Sequence, residues 1–172
     1  MKYSIYTDGS TKNNGAKDAV GGWGYVVVNT EYNTMVAGAS GVEEGTTNQR
    51  MELMAAIQGI KAIAPLITIP EDSVVIYTDS AYLHNCYAQR WYENWQKNGW
   101  KNSKKETVAN RDLWEQLIPY FNNWGYQFEK VKGHSDNSTI HEVWNNYVDQ
   151  VAQTAASDHI NHKMVETIFS EK

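Results

Sequence analysis

The sequence has a single cysteine, Cys86, in 172 residues. That excludes a disulfide framework and any cysteine-based zinc site, and it suits a reducing cytosol. No run reaches the roughly 18 apolar residues that a membrane-spanning helix needs. Met1 leads into the polar-interrupted stretch Lys2-Tyr3-Ser4-Ile5-Tyr6 rather than an apolar leader. The expectation is a cytoplasmic chain with no membrane partner. Cations are in short supply: 15 Lys and Arg face 20 Asp and Glu, a net charge of −5. As an average, that balance argues against nucleic acid. Internal repeats, low-complexity segments and a linker are also missing, so one domain is expected. What is present is 41% hydrophobic residues, enough for a real core, with seven Trp and eleven Tyr.

Lys2–Thr7, Gly22–Asn29 and Thr34–Gly41 read as strands. Their short connections, with a polar turn-like stretch from Gly9 to Asp18 after the first, predict an antiparallel meander. Thr46-Thr47-Asn48-Gln49 offers N-cap residues before Leu53, Ala56, Ile57, Ile60 and Ile63 at helical spacing, and Pro65 ends that helix. Ser73–Thr78 is a continuous apolar run, as suits a strand covered on both faces. A helix follows Asp79-Ser80. Asn110–Phe121 is amphipathic, Tyr126–Val131 is a last strand, and Glu142–Ala156 is a last helix. Ser157–Lys172 is weakly patterned and reads as either a docked helix or a loose tail. Cys86 reads as a core residue. The predicted class is α/β: a five-stranded mixed sheet, three antiparallel strands and then two parallel crossover strands, flanked by helices.

Carboxylates carry the chemistry. Ile5-Tyr6-Thr7-Asp8 recurs as Ile76-Tyr77-Thr78-Asp79, each copy a strand ending in Asp and a small residue. Sites in crossover sheets form at the carboxyl ends of parallel strands. Neighbouring strands place such ends about 5 Å apart, and two carboxylates there repel unless a cation or proton intervenes. Helix capping is the plain alternative for either Asp alone. Glu52 starts a helical stripe continued by Ala56, Gly59 and Ile63, which should face the sheet, and a carboxylate so placed needs a partner. Asp149 lies at the edge of the apolar stripe Val148, Val151, Ala152 and Ala155, where a solvated surface role is the plain reading. Four carboxylates with no sulfur ligands suit hard cations, Mg²⁺ or Mn²⁺.

An ordered set of motifs goes further. Tyr6-Thr7-Asp8-Gly9-Ser10, Thr46 to Leu53, Tyr77-Thr78-Asp79-Ser80, Trp95 to Trp100, Asn110 to Trp114, Val131-Lys132-Gly133-His134 and Asn145 to Ala152 together resemble type 1 ribonuclease H, the bacterial HI form in particular. The resemblance covers about residues 1–156 and leaves 157–172 as a C-terminal extension. It implies a monomeric endonuclease that hydrolyses the RNA strand of RNA–DNA hybrids with two Mg²⁺ ions, leaving 5′-phosphate and 3′-hydroxyl ends. Asp8, Glu52, Asp79 and Asp149 match the family's metal-binding carboxylates, with Asp8 bridging the ions. His134 matches a histidine that aids proton transfer or product release. Asn14, Asn48 and Gln49 match positions that line the hybrid's minor groove. Thr47 and Asn110 match a pocket for a DNA-strand phosphate.

The segment 89–105 corresponds to the family's basic protrusion. Arg90, Lys97, Lys101, Lys104 and Lys105 face only Glu93, and Trp91, Trp95 and Trp100 are interleaved. Lysines there would attract phosphate, and the Trp rings would pack on sugars or anchor the segment to the core. The remainder of the chain then holds ten basic residues against nineteen acidic ones. An acidic total therefore no longer counts against nucleic acid. Two departures from the family pattern stand out: a longer, more polar turn at residues 13–20, and a longer segment between His134 and Asp149. A catalytically inactive hybrid-binding domain and another nuclease or integrase of the same fold are the alternatives.

Overall fold

In a computed structural model, residues 1–133 and 136–170 are described. The sheet has the order β3-β2-β1-β4-β5. Its strands are β1 (Lys2–Lys12), β2 (Val20–Asn29), β3 (Thr34–Glu44), β4 (Ser73–Thr78) and β5 (Tyr126–Lys130). The first three are antiparallel neighbours, and β4 runs parallel to both β1 and β5. β1 and β4 pair in register, Ile5 with Ile76 and Tyr6 with Tyr77. The repeated tetrapeptides therefore lie side by side, and both strands deliver their Asp at the same edge.

The first three strands run longer than expected, while β4 keeps its expected bounds and β5 ends one residue early. Gly9 to Lys12, expected as turn, extends β1 because Val20 to Trp23 pairs with it residue for residue. Ladder hydrogen bonds satisfy the backbone there and override the weak strand preference of Gly9, Ser10 and Lys12.

Helix α1 (Asn48–Ile63) is capped by the Thr47 hydroxyl, which accepts from the Arg50 amide at 3.2 Å. Its apolar stripe packs on one face of the sheet, joined by α2 (Ala81–Gln89), α3 (Trp91–Lys97) and α4 (Arg111–Phe121). Ile5, Leu53, Ile60, Ile76, Leu83, Trp114 and Leu117 are fully buried there. Each contributes about 1.5–3 kcal/mol of transfer free energy. The Trp114 indole donates to the Tyr82 hydroxyl at 2.9 Å, so this large side chain buries no orphan donor. Cys86 is part of this core, as expected.

The opposite face is covered by α5 (Ile140–Ser170), whose Val148 packs on Tyr6, Val26 and Val28. α5 begins two residues before the expected start, where the Thr139 hydroxyl accepts from the Glu142 amide at 3.1 Å. It also continues through the stretch expected as a docked helix or loose tail. Residues 157–170 take the helical alternative, as a prolongation of α5 rather than a separate helix, and His159 and Lys163 dock it on Glu44 at the end of β3. No helix among the described residues is long and apolar enough to cross a membrane.

Candidate active site

The carboxyl ends of β1 and β4 bring Asp8 and Asp79 together, and the start of α1 adds Glu52. One oxygen from each of the three lies within 4.8 Å of the others. Asp149, two turns into α5, stands beside Asp8 at carboxyl–carboxyl hydrogen-bonding range, and its charge is felt at Glu52. Gln153 donates to Asp149 Oδ2 at 2.9 Å. Four separate elements thus converge, and Asp149 is half-buried rather than a solvated surface group.

The approach of α1 depends on Gly9. A Cβ at that position would lie 2.5 Å from the Glu52 amide nitrogen and the Met51 carbonyl carbon. With hydrogen in place of that Cβ, the first turns of α1 press backbone to backbone on β1. The Gly9 amide also donates to Asp8 Oδ1 at 2.9 Å.

The electrostatics are unfavourable without a counter-charge. Asp8 is 3% exposed. Burial first, then the charges of Glu52 and Asp79, push its carboxyl far above the usual carboxylate range. Burial and the charge of Asp79 push Glu52 up as well. Asp8 Oδ2 and Glu52 Oε2 are buried with no hydrogen-bond donor. An all-oxygen donor set with orphaned, mutually repelling carboxylates fits a hard divalent cation, which would satisfy both lone pairs and charge.

Asn145, fully buried on α5, donates through Nδ2 to Asp79 Oδ2 at 3.3 Å. Sequence reasoning quoted it within a motif but gave it no role. The available signal was its position four residues before Asp149, one helical turn away on the same face. His134, expected to assist proton transfer, lies outside the described residues. The chain reaches it past Gly133, where a Cβ would be 2.8 Å from Asp79 Oδ2.

The expected substrate residues divide into three groups. Asn14 Oδ1 accepts from the Asn48 amide, and Asn48 Oδ1 accepts from the Thr11 amide, both at 2.9 Å. These bonds pin the β1–β2 connection to the start of α1 and leave the exposed Gln49 beside them. Asn110, preceding α4 in a left-handed conformation, accepts from Arg50 at 3.4 Å and donates to Tyr82 at 3.3 Å. Arg50 also holds Glu43 and grips Asp112 through both guanidinium nitrogens at 3.0 Å. Thr47 and Asn110 are thereby tied through one arginine. In the protrusion, Lys97, Lys101, Lys104 and Lys105 are all exposed. Trp91, Trp95 and Trp100 are half-buried, and Trp95 makes tilted ring contacts with Trp91, Trp100 and the core Trp114, so the anchoring role is the one the structure displays. Asn98 clasps Lys101 by bonds in both directions, and Trp100 and Lys105 adopt left-handed backbone, shaping a tight loop that presents the lysines.

The sheet order, the two helical layers and the carboxylate cluster define a domain of the ribonuclease H-like class. Comparison with known proteins refines this. The RNase H family model matches residues 1–157. A ribonuclease H of Syntrophomonas wolfei is 48% identical over 151 residues, 88% of this chain and 93% of that protein. One from Caldicellulosiruptor saccharolyticus is 41% identical over 87% of this chain and 92% of its own length. Among solved structures, LC9-RNase H1, described as a type 1 RNase H with the type 2 active-site motif, superposes with a TM-score of 0.73 at 28% identity, covering 91% of this chain and 72% of that one. A foamy viral protease–reverse transcriptase in complex with RNA/DNA hybrid shares the fold, with a TM-score of 0.74 at 23% identity over 90% of this chain and 20% of that one. The chain belongs to the RNase H family, and its activity is that of an endoribonuclease.

Proposed function

We propose that the chain hydrolyses the RNA strand of RNA–DNA hybrids, leaving 5′-phosphate and 3′-hydroxyl ends. The observation that carries this reading is the convergence of Asp8, Glu52, Asp79 and Asp149 at the ends of two in-register parallel strands. These side chains would hold two Mg²⁺ ions, with Mn²⁺ as a substitute. When bound, such ions supply Lewis-acid activation of water and stabilisation of the leaving 3′ oxygen. The rest is done by the chain itself. Asp8, the most buried of the four carboxylates, would be the ligand common to both ions, and Glu52, Asp79 and Asp149 would complete the donor set. His134 moves a proton to or from the departing group, a role suited to an imidazole near neutrality. Asn14, Asn48 and Gln49 contact the minor groove, where RNA displays its 2′-hydroxyls. Thr47 and Asn110 receive a DNA-strand phosphate. Lys97, Lys101, Lys104 and Lys105, with the exposed edges of Trp91, Trp95 and Trp100, hold the duplex backbone.

The test is cleavage of a hybrid with labelled RNA in Mg²⁺, compared with Asp8→Asn. Cleavage by the parent and none by the variant is expected. Equal cleavage by both would sink the assigned site. Tight hybrid binding without cleavage in either metal would make the chain an inactive binding domain, and preference for pure DNA would point to another nuclease of this fold.

A further inference from the structure

The two oxygens of Asp79 have unequal surroundings. Oδ2 accepts from Asn145 Nδ2 at 3.3 Å and faces the Cα of Gly133, where a Cβ would intrude to 2.8 Å. The orientation of the Asn145 amide follows from its neighbour, because only its nitrogen can donate to a carboxylate. Asn145 is fully buried, and its own Oδ1 is buried without a donor, so the amide is spent on this one contact rather than on holding its helix. We propose that Asn145 and Gly133 form a clamp on Asp79 Oδ2 that leaves only Oδ1 for a cation, so that Asp79 ligates through one oxygen and the site favours Mg²⁺ over Ca²⁺.

The reasoning is one of coordination. Mg²⁺ takes near-octahedral geometry with single-oxygen carboxylate ligands, whereas Ca²⁺ accepts six to eight oxygens and bidentate carboxylates. A carboxylate free to rotate offers both oxygens and so serves the larger ion. One whose second oxygen is held by an amide and crowded by a backbone does not. Asn145 is accordingly a positioning residue that acts through Asp79, and Gly133 is the surface against which Asp79 is set. The inference rests on the metal site proposed above.

The experiment is calorimetric titration of substrate-free protein with MgCl₂ and, separately, CaCl₂, for the parent, Asn145→Ala and Gly133→Ala. Circular dichroism establishes which variants fold. In Asn145→Ala the Mg²⁺ affinity should fall by about 10-fold or more, the size of effect that lost partners of metal ligands produce, with Ca²⁺ affinity falling less, so that the Mg²⁺/Ca²⁺ ratio drops. Gly133→Ala sets a methyl 2.8 Å from Oδ2, which displaces the carboxylate from the Asn145 amide and should lower the same ratio; it carries the test if Asn145→Ala does not fold. A purely structural role for Asn145 would weaken both ions equally, so an unchanged ratio in the folded variants overturns the clamp. Failure of the parent to bind either ion would instead remove the metal site itself.

Discussion

Gly9 and Glu52 meet backbone to backbone, with the position of a Gly9 Cβ only 2.5 Å from the Glu52 amide nitrogen. One carboxylate of the site is therefore placed by a missing side chain on the neighbouring strand. Gly9→Ala forces α1 away from β1, and an overpacked contact of this kind costs about 1–3 kcal/mol. The expected outcome is that loss in urea unfolding. Hybrid cleavage should fall by more than the stability change explains, because Glu52 moves with its helix. A variant with normal turnover would mean that the helix absorbs the methyl without displacing Glu52.

The carboxyl cluster predicts how stability depends on pH. Asp8 and Glu52 are raised by burial and by neighbouring charge in the folded chain, while in the unfolded chain they titrate near their ordinary values of about 4. The folded state thus binds more protons than the unfolded state above that range, and stability without metal falls as pH rises through it. Thermal unfolding in EDTA should show a Tm declining from pH 5 toward pH 8. Added Mg²⁺, which replaces the protons, should raise Tm more at the higher pH. Asp8→Asn should flatten both trends. A metal-free Tm that climbs over this interval would contradict the assigned electrostatics.

Replacing Lys97, Lys101, Lys104 and Lys105 together by Ala should weaken hybrid binding and flatten its salt dependence. Each lost phosphate contact lowers the slope of log affinity against log salt by about 0.9. All four side chains are exposed, and the side chains that brace the loop are those of Asn98 and Asn102 rather than of the lysines, so the fold should be retained. Fluorescence anisotropy across a salt series measures this, and an unchanged slope would show that these lysines do not touch phosphate.

A chain ended after Asp158 should keep its activity. Beyond that point the contacts of α5 include the Lys163–Glu44 ion pair and the exposed apolar groups Met164, Val165 and Ile168. Exposed pairs of this kind add little to stability, so only a small loss of stability is expected. A large drop in activity would give the prolonged helix a part in the reaction.

Asp8 and Asp79 were legible because a tetrapeptide repeats and because strand ends are where such sheets form sites. Glu52 was legible as an acid heading a buried stripe. Asp149 was not legible from its pattern, since nothing within α5 says that its edge turns toward Asp8; only the ordered motifs singled it out. Asn145 was hidden for the same reason, as one polar residue among several on a helix whose docking angle sequence spacing does not reveal. The extra length of β1 was masked by Gly9, Ser10 and Lys12, whose weak propensities yield to pairing with β2. The full extent of α5 was masked because residues 157–170 have a weak apolar pattern. The three tryptophans of the protrusion were ambiguous in sequence, and the tilted contacts that join Trp91 and Trp100 to Trp95, and Trp95 to Trp114, resolve where they are anchored.

The paired strands also act as a ruler. Tyr6 sits opposite Tyr77, so Asp8 and Asp79 arrive level only because each strand counts the same two residues from that rung. Side chains alternate between faces at every step of about 3.3 Å along a strand. A single inserted or deleted residue in β1 or β4 would therefore do more than shift one acid by one step. It would swing that acid to the other face of the sheet, away from its partners. The connections between elements can drift in length, as the longer segment before α5 has done, but in these two strands even a neutral insertion would dismantle the site.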